Sequence, residues 1–163
     1  MKNSVTAVAI LMGSTSDLPT MKDCADFLER MGVTFEMKVL SAHRTPDEVI
    51  EFSKAAGRNG FKVIVAGGGG AAHLPGLVAS HTTLPVIGVP VALGPMQGLD
   101  ALYSIVQMPK GVPVATMAIG NAWNAGVLAA QILSSSEGDS TVLRKKLEDY
   151  KEEMRKAVLS KGL

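Results

Sequence analysis

Short apolar runs alternate with helix-patterned segments along the chain, and this alternation restricts the fold more than any other feature. The run Val5–Met12 is apolar almost throughout, which is typical of a parallel strand covered on both faces. Val33–Leu40 instead alternates apolar and polar residues, which favours a strand near a sheet edge. Further strands are predicted at Lys62–Gly67, Pro85–Val91 and Val112–Ile119. Pro90 and Pro113 predict frayed or bulged ends for the last two strands.

The segments between these runs predict six helices. The first, Leu18–Met31, places apolar residues at steps of three and four, and Gly32 is expected to end it. The second has Thr45 as N-cap and Pro46 at the first helical position, with Glu48 completing a capping box. The remaining helices are predicted at Leu74–Thr82, Leu99–Met108, Asn121–Leu133 and Thr141–Leu159.

Five strands alternating with helices predict a three-layer α/β fold. The expected sheet is parallel and five-stranded, in the flavodoxin-like order 2-1-3-4-5, with an additional C-terminal helix over about 140–160. The 163 residues suit one domain, 1–163, with a core over about 5–135. Asn121–Leu133 has almost no polar face, so we expect it to be buried on all sides, with cover from a neighbouring subunit in a homo-oligomer.

Composition excludes several classes of function. Sixteen Lys and Arg against fifteen Asp and Glu leave a net charge of +1, which predicts no nucleic-acid or membrane partner. Aromatic residues make up 4%, which supplies a flavin or base stacking site poorly. Cys24 is the one cysteine, so it forms neither an internal disulfide nor a cysteine-built zinc site. Val5–Met12 is too short to span a membrane and leads into no cleavage site, which predicts a cytoplasmic protein.

Polar loops follow the first three predicted strands. They read Gly-Ser-Thr-Ser-Asp at 13–17, Ser-Ala-His-Arg-Thr at 41–45 and Gly-Gly-Gly-Gly-Ala-Ala-His at 67–73. In an open parallel sheet, ligands bind beyond the carboxyl ends of the strands, where the strand order reverses. Because the order 2-1-3 makes these loops neighbours, the sequence predicts one site formed by all three.

Each of the first two loops has a functional and a structural interpretation. Hydroxyls at a helix N-terminus suit a phosphate and Asp17 suits a ribose diol, but Ser16 or Asp17 could instead cap the first helix. Arg44 with Ser41 suits a phosphate, and His43 suits proton transfer near neutral pH. The alternative is a surface ion pair beside a histidine that bonds a carbonyl. Their position at the ligand-binding end of the sheet favours function.

Four successive glycines have no side chains to pack, which indicates that a planar or anionic group approaches the backbone; a ligand-free turn is the alternative. His43, His73 and His81 show no known metal-ligand spacing, so no metal is expected, and His81 is expected to be a solvated or capping residue. Cys24 lies on an apolar stripe and is interpreted as a core residue. The remaining chemistry is acid–base catalysis by one histidine on a phosphate-anchored small molecule.

Four motifs in order resemble the PurE family of N5-carboxyaminoimidazole ribonucleotide mutases, over roughly residues 5–135. They are Met-Gly-Ser-Thr-Ser-Asp at 12–17, Ser-Ala-His-Arg-Thr-Pro at 41–46, Gly-Gly-Ala-Ala-His-Leu-Pro-Gly at 69–76 and Tyr-Ser-Ile-Val-Gln-Met-Pro at 103–109. The last motif, with the Lys-Gly-Val-Pro that follows it, is similar to the bacterial, class I branch.

The resemblance implies a cofactor-free isomerase of purine synthesis that moves a carboxylate from the exocyclic nitrogen to C4 of an imidazole ribonucleotide. It implies that His43 is the general acid and base, and that the enzyme is an octamer. The other implied roles are phosphate binding by Ser16, Ser41 and Arg44, ribose binding by Asp17, binding of the base and carboxylate by Ser14, Gly68, Gly69, Gly70 and Ala71, and support by His73, Ala72 and Leu74.

The chain departs from the family pattern at three places. Gly67–Gly70 replaces Gly-Ala-Gly-Gly, Ala92–Gln97 replaces a Gln-Ser-rich stretch, and Ala101 replaces a frequent serine. Two other functions stay open from the sequence. One is direct carboxylation of aminoimidazole ribonucleotide by CO2, and the other is a flavodoxin-like binding or electron-transfer module.

Overall fold

A computed structural model describes residues 6–135 and 140–161, which form a parallel sheet with helices on both faces. The strands are β1 (Val8–Met12), β2 (Phe35–Val39), β3 (Val63–Gly69), β4 (Val86–Val91) and β5 (Ala115–Thr116). Their order, β2-β1-β3-β4-β5, confirms the predicted fold class and strand order. The predicted start of the first strand at Val5 lies outside the described residues, as do residues 136–139 between the last two predicted helices.

Six helices occupy the predicted places. They are α1 (Leu18–Met31), α2 (Pro46–Ala55), α3 (Leu74–His81), α4 (Leu99–Val106), α5 (Ala122–Ser135) and α6 (Ser140–Leu159). Gly32 ends α1 with a left-handed φ of 72°, as predicted. Among the described residues, no helix is both long enough and apolar enough to cross a membrane.

The side chains of β3 alternate between two cores, one on each face of the sheet. Val63 and Val65 pack with the apolar stripe of α1 and with α5, whereas Ile64 and Ala66 pack with α2 and α3. Both cores consist mainly of fully buried aliphatic side chains. Since β1, β3 and β4 are buried along most of their length, they form a rigid base for the loops that leave their carboxyl ends.

The two strands that contain or follow the prolines differ from the prediction. The last strand was expected over Val112–Ile119, but only Ala115 and Thr116 pair with β4. The expected fraying of β4 at Pro90 is wrong, because β4 continues to Val91 and pairs with β3 along that length. Pro90 is tolerated there because β5 pairs only with Ile87 and Gly88, so position 90 lies beyond that ladder.

The apolar helix α5 is covered in part by α6 of the same chain. The α6 residues Leu147 and Tyr150 pack against Phe27 and Trp123, and the Trp123 indole N–H donates to the Tyr150 hydroxyl at 3.0 Å. Val127, Leu128, Ile132 and Leu133 of α5 are only partly buried by the described chain, so cover by a neighbouring subunit stays a prediction. The packing of α6 against α5 was not predicted, because α6 is highly charged and its apolar stripe is narrow.

Candidate active site

A cavity of about 300 Å³ opens at the carboxyl ends of β1, β2 and β3, which is where the strand order predicted a site. Loops that lie far apart in sequence meet here. The lining residues are Gly13, Ser14, Ser16, Asp17, Ser41, Ala42, His43, Arg44, Gly68, Gly69, Ala71, Ala72, His73, Leu74 and Leu93. The volume lies at the small end of the range for pockets that bind small molecules.

The loop after β1 is closed by a reciprocal pair of hydrogen bonds. The Ser14 hydroxyl accepts from the Ser16 backbone N–H at 3.3 Å, and the Ser14 backbone N–H donates to Asp17 Oδ2 at 3.1 Å. Ser14 thus caps the short 3₁₀ turn Thr15–Asp17 that precedes α1. The structural alternative, in which Ser16 or Asp17 caps α1, is wrong, because Asp17 stands at the N-cap of α1 without a side-chain capping bond. The arrangement leaves the Ser16 hydroxyl on the cavity wall.

Asp17 is almost fully buried, with 3% of its surface exposed. Burial raises the pKa of its carboxyl above the ordinary value, because desolvation disfavours the charged form. The backbone N–H groups of Ser14 and Gly13 and the charge of Arg44 act in the opposite direction without cancelling this effect. The cavity therefore holds a carboxyl that would bind a hydrogen-bond donor, such as a sugar hydroxyl, in place of water.

The loop after β2 forms a small ring closed at Thr45. The Thr45 hydroxyl accepts from the Ser41 backbone N–H at 2.9 Å and donates to the Ser41 carbonyl at 3.1 Å. The predicted capping box with Glu48 is wrong, since the Thr45 side chain does not bond to the first turn of α2. Its hydroxyl is already occupied by the ring. The ring holds His43 and Arg44 next to each other at its exposed side.

Arg44 connects this ring to the loop after β1. Its guanidinium donates to the Gly13 carbonyl at 3.0 Å, and its Nε lies 3.4 Å from the Ser41 hydroxyl. In the part of the chain that the structure describes, the guanidinium forms no ion pair. Because the group is exposed and only partly hydrogen-bonded, it keeps N–H donors for an anion.

The glycine segment brings bare backbone to the cavity. A Cβ at Gly69 would lie 2.7 Å from Leu93 Cβ and 3.1 Å from the Val91 carbonyl oxygen, so only glycine fits there. Gly70 has a φ of 64° and turns the chain away; it does not line the cavity, unlike the other predicted site residues. The glycine segment therefore makes a turn at Gly70 and leaves its backbone open to a ligand at Gly69. Both interpretations that the sequence left open apply to it.

The two imidazole rings in the cavity contact each other. His43 Nε2 lies 2.7 Å from His73 Nδ1, and the rings meet edge to face with centroids 4.8 Å apart. Such a hydrogen bond needs one nitrogen that donates and one that accepts, so the two rings are not both imidazolium while it is present. The contact orients the His43 ring. Among the described residues, no three His, Cys, Asp or Glu side chains come together as metal ligands.

The structure brings twelve of the thirteen predicted site residues to one cavity and adds three that were not predicted, Gly13, Ala42 and Leu93. Gly13 and Ala42 belong to the quoted motifs, so their presence could have been expected. Leu93 lies in the stretch that departs from the family pattern.

Two side chains that the sequence analysis did not assign to the site lie away from the cavity. Cys24 is buried in the core, and this burial raises the pKa of its thiol to about 12. The His81 ring bonds within the last turn of α3.

Known proteins are similar to this chain over nearly its whole length. The family model described as AIR carboxylase matches residues 7–157. The N5-carboxyaminoimidazole ribonucleotide mutase of Thermotoga maritima is 56% identical over 155 residues, covering 95% of this chain and 89% of that protein. The mutase of Bacillus subtilis is also 56% identical, covering 93% of each chain. The crystal structure of Treponema denticola PurE superposes with a TM-score of 0.84 at 26% identity and covers 94% of each chain. The chain belongs to the AIR carboxylase family.

Proposed function

We propose that the protein is an N5-carboxyaminoimidazole ribonucleotide mutase, which converts its substrate to 4-carboxy-5-aminoimidazole ribonucleotide in de novo purine synthesis. The observation that carries the proposal is the arrangement of His43 and Arg44 on one ring, beside a cavity whose other wall is bare backbone. This combination suits a phosphorylated, planar substrate that must gain and lose a proton. Family membership and the names of the closely similar bacterial relatives support the same activity.

Binding of the ribose phosphate is assigned to the polar end of the cavity. Arg44, Ser41 and Ser16 hold the 5′-phosphate, because a guanidinium with free donors and two hydroxyls match its oxygens. The carboxyl of Asp17 accepts from the ribose hydroxyls through the oxygen that Ser14 leaves free. These contacts fix the nucleotide, so that the imidazole ring projects toward the glycine segment.

Binding of the base is assigned to the other end. Ser14 and the backbone of Gly68, Gly69, Gly70 and Ala71 face the ring and the migrating carboxylate, with Gly70 acting through the turn it makes. The small and apolar side chains Ala72 and Leu74, both almost fully buried, close the floor. A flat ring can approach this surface because no side chain projects from the glycines.

Proton transfer is assigned to His43. Protonated His43 donates to the exocyclic nitrogen as its bond to the carboxylate carbon breaks and releases CO2. The C4 carbon then attacks CO2 and forms the new bond, and neutral His43 removes the C4 proton as the ring becomes aromatic again. One proton is given and one is taken back, so the enzyme returns to its starting state. His73 supports this role by holding the His43 ring at 2.7 Å.

The proposed reaction needs no cofactor. The carboxylate moves between two atoms of one molecule, so no net oxidation occurs and no external group donor is consumed. The intermediate CO2 must stay in the cavity, where proximity replaces its low bulk concentration and can lower the barrier by several kcal/mol. A charged nucleotide substrate crosses membranes poorly, which supports a cytoplasmic location and a small molecule as the partner.

We also propose that the chain is one domain over 1–163 and forms a homo-oligomer, an octamer by family resemblance. Further support for self-association comes from α4. Leu99, Tyr103 and Val106 lie at helical spacing along one face of α4 and are 42%, 57% and 47% exposed. A continuous apolar stripe of this kind is typical of an interface. Light scattering on the purified chain tests it, and a monomer at micromolar concentration would contradict it.

The activity is tested by supplying each substrate separately to the purified protein. We expect 4-carboxy-5-aminoimidazole ribonucleotide to form from the N5-carboxylated isomer without added bicarbonate. The family name favours one second candidate, direct carboxylation of aminoimidazole ribonucleotide. Product from that nucleotide at low bicarbonate, with none from the isomer, would establish the second candidate and overturn the first. A yellow purified protein would instead support the flavodoxin-like alternative.

A further inference from the structure

The loop after β4 places a large apolar side chain at the mouth of the cavity. Leu93 lines the cavity and is 50% exposed. It stands over the glycine segment, since a Cβ at Gly69 would lie 2.7 Å from Leu93 Cβ and 3.3 Å from its Cδ2. The Leu93 side chain therefore fills the space that a side chain at position 69 would otherwise occupy. None of the roles assigned above uses Leu93.

Backbone geometry holds this leucine in position. The loop makes three left-handed residues close together, Gly94, Gln97 and Gly98, with φ of 69°, 50° and 91°. Its two ends contact each other, because a Cβ at Gly98 would lie 3.1 Å from the Ala92 Cα. Leu93 follows Ala92 directly, so it projects from the anchored end of the loop. The left-handed turn and the approach of Gly98 to Ala92 thus define where Leu93 leaves the loop.

The cavity has a polar end and an apolar end. Hydroxyls, the guanidinium and the Asp17 carboxyl come from the loops after β1 and β2, whereas the glycine segment, Leu74 and Leu93 come from the β3 and β4 side. Leu74 is buried in the floor, so Leu93 is the large apolar side chain at the open side. Leu93 therefore covers part of the boundary between the glycine segment and solvent.

We propose that Leu93 is a positioning residue that shields the reacting carbon from water and retains CO2 between its release and its recapture. The inference rests on the proposed mutase function and adds a residue to it. Carbon dioxide is neutral and apolar, so an aliphatic wall retains it, whereas a hydroxyl at this position admits water and opens a route to solvent. The bond changes are those given above, with escape of CO2 competing against attack by C4.

The test measures where the carboxylate carbon goes. The N5-carboxylated substrate is converted in buffer containing ¹³C-bicarbonate, and the ¹³C content of the product is read by mass spectrometry. We expect Leu93→Ser to raise label incorporation about tenfold, a factor of the size that a methylene group provides in an apolar pocket. Leu93→Met should restore the wild-type value. Met96→Ser is the matched control, because Met96 is in the same loop, is 53% exposed and does not line the cavity.

The outcomes separate this inference from the function on which it rests. If the wild-type protein does not convert the substrate, the proposed function fails. If it converts the substrate and Leu93→Ser incorporates label within twofold of wild type, only the role of Leu93 fails. An equal rise in Met96→Ser, or complete label exchange in the wild-type protein, also overturns that role. Circular dichroism of each variant confirms that its fold is intact.

Discussion

Two neighbouring glycines of β3 make a sharp test of the packing, because alanine should be harmful at one and harmless at the other. Gly67 faces α1, where an added Cβ would overlap the Met21 Sδ and lie 2.8 Å from its Cε. Met21 is fully buried, so it has no solvent to turn into. At Gly68 the nearest atom to an added Cβ is the Ala72 Cβ at 3.6 Å, an ordinary contact.

The sizes of the two effects follow from these contacts. Overpacking a filled core costs about 1–3 kcal/mol, so we expect Gly67→Ala to lower the free energy of unfolding by about 2 kcal/mol. Neither glycine has a positive φ, so alanine also restricts the unfolded chain, which stabilises by about 0.4–1 kcal/mol. At Gly68 no overpacking opposes this stabilisation, so alanine there should leave the free energy of unfolding unchanged or slightly higher. In a chain of this length, about 2 kcal/mol corresponds to a Tm lower by about 4–8 °C.

Thermal and urea unfolding, followed by circular dichroism at equal protein concentrations, measures both variants against wild type. We expect Gly67→Ala to melt well below wild type and Gly68→Ala to melt at or above it. Equal melting temperatures for the two variants would refute the packing argument, and so would a larger loss at Gly68. The second variant also restores the Gly-Ala-Gly-Gly pattern of the family, so its activity should stay within a few fold of wild type.

Three further predictions concern the cavity. His43→Asn should bind the nucleotide in calorimetry but lose at least about 10³-fold in kcat, whereas His73→Asn should lose only about tenfold, because it disturbs orientation and not proton transfer; similar losses in both would contradict the separate roles. Arg44→Glu should mainly raise KM, since it places a carboxylate where the phosphate binds, and a loss confined to kcat would argue against phosphate anchoring there. Asp17→Asn should unfold at a higher temperature than wild type at pH 7, because the raised pKa means that ionised Asp17 lowers the stability of the fold. This difference should shrink as the pH falls through the pKa of folded Asp17 and the wild-type carboxyl takes up its proton; a constant difference would count against desolvation as the cause.

Most of the fold could be predicted because its signals are local. A buried parallel strand such as Val8–Met12 needs a continuous apolar run, and an amphipathic helix such as α1 needs apolar residues at a period of 3.6. Both patterns can be recognised in the amino-acid sequence. The length of β5 was not visible, because apolar residues fill 112–119 whether or not they pair with β4. The cover of α5 by α6 was missed since it depends on which faces of two distant helices meet.

The candidate site, like the fold, could be predicted only in part. Strand order alone brings the loops after β1, β2 and β3 together, so the sequence could predict which residues share a cavity. Contacts that depend on side-chain rotamers could not be predicted. The 2.7 Å approach of His43 to His73, across thirty positions, is one example. The use of the Thr45 hydroxyl inside its own loop is another, because a capping box and a closed ring draw on the same residue type.

The ring that Thr45 closes has a consequence for how tolerant the protein is to change. The proposed anchor for the phosphate and the proposed proton carrier are consecutive residues on one five-residue ring, and a single hydroxyl makes two of its closing bonds. Loss of the Thr45 hydroxyl should therefore displace both residues together, and so change affinity and turnover at the same time. Thr45 does not line the cavity, so we expect a residue behind the proposed site to be as sensitive to substitution as the residues that line it.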